Sequence, residues 1–297
     1  MSKIIIYNGP NVRIDKYLVT EIENHTRTQI QQLIVNNNIQ VNNNNVKSNF
    51  ILKDQDEITI NFPDPISSEI IPQNIPLDIY YEDNDIIVVN KPTGMVIHPA
   101  AGNKDNTLVN ALLYHCKDLS GINGKKRAGI VHRIDKDTSG LIVACKNDLA
   151  HKNLSKQFSD RKVSRKYYAI CSGVIPHNFG KIDAPIGRNP NNRQQMTVID
   201  GGKPAVTHFR VLDRFINHTL VELELETGRT HQIRVHMKYI GYPLSGDPVY
   251  GYKKEEDVNG QFLHAKSLGF IHPRTQEFME FESPLPNYFE EFLKTLN

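Results

Sequence analysis

The sequence predicts a mixed α+β protein built from two unequal parts, and three observations carry that reading. Period-2 stretches and short apolar runs are interleaved irregularly with helical periodicities, which argues against a doubly wound parallel fold. A stretch punctuated by Pro63, Pro65, Pro72 and Pro76 lacks periodicity and separates a short N-terminal pattern from a long remainder. At 297 residues the chain has length for two domains. The boundaries fall at 1–64 for a small domain, 65–80 for a linker and 81–297 for a large domain.

In the small domain, Ile14, Leu18 and Ile22 recur at helical spacing. Thr26 is suited to cap a second helix that carries Ile30, Leu33 and Ile34 on one face. Residues 39–41 and 58–62 read as short strands, and the asparagine runs 36–38 and 42–45 read as loops, because Asn tolerates positive φ. Beyond the linker, 86–89 and 141–144 are apolar runs suited to buried strands. Thr107 caps a helix with Leu108, Ala111 and Leu112, and Asp148 opens another with Ala150, Leu154 and Phe158 on one face. Val221, Leu223 and Leu225 alternate with Glu222, Glu224 and Glu226, the signature of a half-exposed strand. Ile233, Met237 and Ile240 then mark a helix ending near Gly241, with Thr230 as its expected cap.

Composition narrows the class. Apolar residues at 39% and charged residues at 23% fit a globular protein, and no run approaches the roughly 20 apolar residues that span a bilayer. The N-terminal apolar run is too short for a signal peptide. Cys116, Cys145 and Cys171 form no C-x-x-C pair, so a reducing, cytoplasmic interior is expected, with no membrane partner. The net charge of +2 conceals an uneven distribution. Residues 125–166 hold 12 basic and 4 acidic side chains, a net of +8, while 1–64, 65–124 and 167–297 carry −1, −4 and −1. Such a stripe is either the footprint of a polyanion site or a solvated face balanced by acids elsewhere in the fold.

Three segments can carry chemistry. The stretch 129–143 sets a polar loop with Asp135 and Asp137 directly before a buried strand. Asp137 suits a turn. Asp135 is flanked by Arg133 and Lys136, and neighbouring cations favour the carboxylate form that a nucleophile or base needs. A glycosidase pair would need both carboxylates on one face. The segment 227–236 puts Arg234 in the first turn of its helix, where the dipole opposes a cation and a partner anion is required. His231 and His236, five apart, share no helix face and make poor metal ligands. The segment 165–169 joins Arg165 and Lys166 to a tyrosine pair, one of which belongs in the core. No P-loop, G-x-G-x-x-G, G-x-S-x-G or H-E-x-x-H pattern is present, so no cofactor or metal is expected.

At these residues the sequence resembles the RluA family of RNA pseudouridine synthases, its RluD-like branch in particular. The resemblance runs from about Tyr81 to the C-terminus through NKPTGMVIHP (90–99), the 132–141 loop, 165–169, 227–236, PLSGDP (243–248) and LHA (263–265). Residues 12–62 resemble an S4 RNA-binding domain through Arg13-Ile-Asp15, Thr26-Arg27 and 39–42, although Asn42-Asn43 replaces the usual Asn-Gly turn. The resemblance implies a mixed, largely antiparallel central sheet flanked by helices, preceded by a small S4-like domain. It implies that Asp135 is the catalytic aspartate, Arg234 its basic partner and Tyr167 the tyrosine that lies against the base and assists removal of its C5 proton. It also implies that Arg133 takes the place of a flipped nucleotide in the RNA stack. Arg229, Lys136, Arg165 and, in the small domain, Arg27 are expected RNA contacts. The expected partner is large-subunit ribosomal RNA, acted on by a monomer. The same chemistry on tRNA or another rRNA site, or an idle RNA-binding protein, are the alternatives.

Overall fold

The computed structural model describes residues 2–22, 25–62, 70–100, 102–116, 119–120, 128–252 and 260–296. Pro63, Pro65 and three cations of the basic segment, Lys125, Lys126 and Arg127, lie outside the described residues. The chain divides into two compact units, Met1–Ser68 and Glu69–Asn297. Among the described residues no helix is long and apolar enough to cross a membrane.

The small unit runs β1 (Ser2–Ile6), β2 (Val12–Arg13), α1 (Ile14–Glu21), α2 (Arg27–Val35), β3 (Ile39–Val41), β4 (Asn44–Asn45), β5 (Ile51–Leu52) and β6 (Glu57–Asn61). Its sheet has the order β1-β6-β3-β4, and β2 pairs with β5. The helix stripes expected from spacing are real: Ile14, Leu18, Ile30 and Ile34 are buried against Ile39, Ile58 and Ile60. Thr26 caps α2 reciprocally with Gln29. Asn42 and Asn43 both have positive φ, 49° and 63°, which gives the tight turn between β3 and β4 the twist that a hairpin requires. The run 42–45 is therefore only half loop, since Asn44 and Asn45 pair with Val41 and Gln40.

The large unit continues with β7 (Asp78–Glu82), β8 (Ile86–Lys91), α3 (Leu108–His115), β9 (Ser139–Cys145), α4 (Asp148–Ser159), β10 (Ser164–Ser172), β11 (Phe179–Asp183), β12 (Ile186–Arg188), β13 (Met196–Val198), β14 (Val206–Arg214), β15 (His218–Leu225), α5 (Gln232–Tyr239), β16 (Leu263–Ile271), β17 (Phe278–Glu282) and α6 (Asn287–Thr295). A nine-stranded sheet runs β11-β14-β15-β10-β16-β9-β8-β7, with β17 on β16. The β9–β16 pairing is parallel and its other pairings are antiparallel. Residues 70–77, within the stretch read as linker, are fastened to this unit: Gln73 N–H donates to Asn110 O, and Asn110 Nδ2 donates to Ile71 O.

Both faces of the central strands are covered, which is why β8 and β9 read as continuous apolar runs. Ile87, Val89, Ile142 and Ala144 face one core with α3 and α5. Ile86, Val88, Leu141, Val143 and Cys145 face the other with α4. The alternation of β15 is as expected, with Val221, Leu223 and Leu225 inward. The three cysteines are buried and unbridged. Gly140 fixes the parallel junction: φ is +113° there, and a Cβ would stand 2.4 Å from Ala265 O. That contact sets where the loop before β9 emerges.

Candidate active site

The loop 132–138 is held from three sides. His132 Nε2 accepts the Val143 N–H at 3.0 Å, and its ring stacks on Phe158 with centroids 4.5 Å apart. Burial, then the nearby Arg165, push its pKa down to about 3, so it is a neutral acceptor. Ile134 is buried in the core. Lys91, 1% exposed, donates to Pro92 O at 2.7 Å, Met95 O at 2.9 Å and Lys136 O at 2.9 Å, one carbonyl for each ammonium proton. Burial lowers its pKa to about 7 while Asp137 and Asp135 oppose the shift. Thr138 N–H closes the turn on Asp135 O at 3.2 Å.

This frame leaves Asp135 on the wall of a pocket of about 730 Å³. The same pocket is lined by Tyr167 from β10, by Arg234 and His231 from the start of α5, and by Arg133, Arg161, Arg165 and Arg229. Arg234 Nη1 donates to Asp135 Oδ2 at 3.2 Å. The anion needed opposite Arg234 is thus supplied twice. Its tighter partner is Asp247, fully buried, with Nε to Oδ2 at 2.7 Å and Nη2 to Oδ1 at 2.8 Å. Asp247 Oδ1 also accepts the N–H groups of Val249 and Tyr250 at 2.9 Å each. The Tyr250 ring lies 5.0 Å from the Arg234 guanidinium. Burial works against the Arg234 charge, but the two carboxylates outweigh it and raise its pKa.

Tyr167 is 7% exposed and follows a shift in register between β10 and β16 at Lys166/Tyr167. Such irregularities re-aim side chains beside active sites. Burial raises its pKa, with Asp135 adding to the shift and Arg165 opposing it, so the phenol is neutral. Tyr168 points to the opposite side and is only half-buried.

The other expected residues divide. Arg133 is exposed on the pocket wall and makes no ion pair among the described residues. Arg229 lines the pocket and donates to Pro204 O at 3.0 Å. Arg165 is 9% exposed, donates to Leu225 O at 3.3 Å and lies over Phe158. Lys136 is exposed but is not part of the wall, and neither is Asp137. A glycosidase pair is therefore not formed. In the small unit Arg27 is half exposed and bonds buried Asp15, which also accepts from Arg13 and Gln31. Thr230 does not cap α5: the N-cap is His231 in the left-handed region, while Gln232 Oε1 accepts from Arg229 N–H and Thr227 Oγ1.

Sequence reasoning assigned no role to Lys91, His132, Asp247 or Tyr250. All four lie in or beside segments 90–99, 132–141 and 243–248. Their signal was a charged or aromatic residue inside or next to those segments with no task of its own.

The protein-family model for RNA pseudouridylate synthase matches residues 85–239, more than half of the chain. The chain belongs to the RNA pseudouridylate synthase family. A pseudouridine synthase is an isomerase, so the pocket belongs to an enzyme. The S4 domain model matches residues 12–58. The chain is 56% identical to the RNA pseudouridine synthase YlyB of Bacillus subtilis, over 96% of this chain and 94% of that protein. It is 46% identical to the ribosomal large subunit pseudouridine synthase D of Zymomonas mobilis, over 96% and 93%. Human RNA pseudouridylate synthase domain containing 1 superposes with a TM-score of 0.60 at 27% identity, over 79% of this chain and 97% of that one. The pseudouridine synthase fold and the S4 domain expected from sequence are both present.

Proposed function

We propose that this pseudouridine synthase acts on specific uridines of large-subunit ribosomal RNA, with Asp135 as its catalytic group and Arg234 as the charge that supports it. The observation that carries the reading is the 3.2 Å contact of Arg234 Nη1 with Asp135 Oδ2 in a pocket that Tyr167 also lines. The choice of RNA rests on the relative named for the large ribosomal subunit.

The reaction breaks the N1–C1′ bond of uridine, turns the uracil and joins C5 to C1′. One proton leaves C5 and one is gained at N1, so nothing is oxidised or reduced. Asp135 acts as a carboxylate, by attack on the ribose or base or by taking a ribose proton. Arg234, anchored by Asp247, supplies a fixed positive charge opposite it. Tyr167 forms the wall against which the base lies. Because its phenol holds its proton, it serves as a neutral surface rather than as a phenolate base.

A uridine within a helix must be extruded at a cost of a few kcal/mol. Arg133, exposed beside Asp135 and without an ion pair among the described residues, fills the gap by stacking and phosphate contact. Arg165, Arg229, Lys136 and, on the small unit, Arg27 add contacts to the backbone. The three buried, unbridged cysteines fit work in the reducing cytoplasm.

The test is to map pseudouridines in rRNA and tRNA from cells lacking the protein. Loss at large-subunit rRNA positions is expected. Loss only in tRNA would move the substrate, and no loss in either RNA would leave an idle RNA-binding protein.

A further inference from the structure

His231 is placed at a cost. Its φ of 56° and ψ of 22° put a residue with a Cβ in the left-handed region, which Gly or Asn enters more readily. The position is an N-cap, yet the side chain makes no capping bond. The ring lines the pocket.

Its protonation pattern follows from its neighbours. Tyr250 Oη accepts the Met196 N–H at 2.8 Å, which leaves its own O–H to donate. The atom within reach is His231 Nδ1, at 2.8 Å. With that O–H donated to it, Nδ1 is the acceptor, and in a neutral ring the proton then resides on Nε2. Burial lowers the imidazole pKa; Asp135 and Asp247 oppose that shift, while Arg234 and Arg133 add to it, and the net direction is down. The result is a neutral imidazole, anchored at Nδ1, on the wall that also carries Asp135.

We propose that His231 Nε2–H is the donor that reads the uracil ring, bonding one of its carbonyl oxygens before the base turns and the other after it. Uracil has a pseudo-twofold axis through N3 and C6. A half-turn about it exchanges N1 for C5 and O2 for O4. One stationary donor therefore finds a carbonyl in both the substrate and the product orientation. A neutral donor suits a neutral carbonyl, whereas the phosphates are matched by the arginines on the same wall. This inference rests on the pseudouridine synthase reading of the pocket.

Two measurements test it on the full-length protein. Imidazole ¹⁵N shifts of the free enzyme should show His231 as the neutral Nε2–H tautomer, and Tyr250→Phe should lose that preference. An Nδ1–H tautomer in the wild type would overturn the proposal without any RNA. The second uses large-subunit rRNA and tRNA transcribed with UTP, 2-thio-UTP or 4-thio-UTP, because a thiocarbonyl is a weak acceptor. Against the wild type, at least one thio transcript should compete about 10-fold less well than the uridine transcript, a loss typical of one buried hydrogen bond. In His231→Phe that ratio should fall to about 1. His231→Asn tolerates the left-handed backbone but is too short to reach, and it should give the same collapse if the Phe variant melts early. Equal thio discrimination in wild type and variants would overturn the proposal while leaving the functional reading intact. Failure of the wild type to form pseudouridine on any uridine transcript would instead remove the reading on which it rests.

Discussion

Arg234 and Asp247 form a bidentate pair between two buried side chains, with hydrogen bonds of 2.7 and 2.8 Å. The single contact from Arg234 to Asp135 is longer, at 3.2 Å. Asp247 therefore sets the position of the guanidinium, and Asp135 meets a charge already in place. Preorganisation of this kind spares the site a rearrangement as charge develops.

Asp247→Asn should be costly in both stability and rate. It removes the anion from a buried pair, a loss of about 3–5 kcal/mol that urea unfolding would read. Turnover should fall about 100-fold through misplacement of Arg234. Arg234→Lys should fall comparably, since one ammonium cannot make the fork. Unchanged activity in Asp247→Asn would show that the pair is not what positions Arg234.

Asp135→Asn should abolish tritium release from C5-labelled uridine in RNA, by about a thousandfold or more, without a large change in melting temperature. Its side chain is on the pocket wall rather than in the core, so the fold does not depend on it. Release that survives the substitution would dismiss Asp135 as the catalytic group.

Gly140→Ala should destabilise the large unit by about 3 kcal/mol or more. The new Cβ meets Ala265 backbone atoms at 2.4–2.8 Å, on a backbone at φ +113° that L side chains rarely adopt. Thermal unfolding checks this. A near-neutral effect would mean that β9 and β16 can part without cost.

His132 gives stability a defined acid limb. Its pKa is about 3 when folded and about 6.5 when unfolded, so the unfolded chain binds the extra proton. The contribution is complete above pH 6.5 and is lost as pH falls from there towards 3. The urea midpoint of the wild type should drop over that window more steeply than that of His132→Phe. Parallel curves would show that His132 is protonated in the folded state.

Arg133→Ala should weaken RNA binding and lower the slope of log K against log salt by about one. A loss of affinity with no change in slope would assign Arg133 to packing instead of phosphate contact.

The elements were legible where one local pattern decides them. β8 and β9 are buried on both faces and so are apolar through 86–89 and 141–145, and β15 is buried on one face and so alternates. The α5 cap was misread because Thr230 is a good capping residue, while the actual chain turns left-handed at His231. Among the described residues, the charge of 128–166 is of two kinds. Arg133, Arg161 and Arg165 reach the pocket, but Lys146 pairs with Glu82 and Lys156 with Asp160, as a balanced surface would. Asp135, Tyr167 and Arg234 were identified by motif resemblance, since no spacing could bring residues 99 positions apart within 3.2 Å. Asp247 escaped notice because the partner it positions lies 13 residues away on another element.

The place of β16 between β10 and β9 bears on how the protein is made. Strands β9 and β10 are adjacent in sequence but do not touch in the sheet; the strand that joins them is Leu263–Ile271. During vectorial synthesis the two halves of the sheet must wait for it, with their inner edges uncovered. Asp247 also arrives late. A nascent chain that stops short of residue 263 thus has the loop 132–138 but not the parallel junction beside it, and the pocket wall is completed only as one of the last strands is delivered.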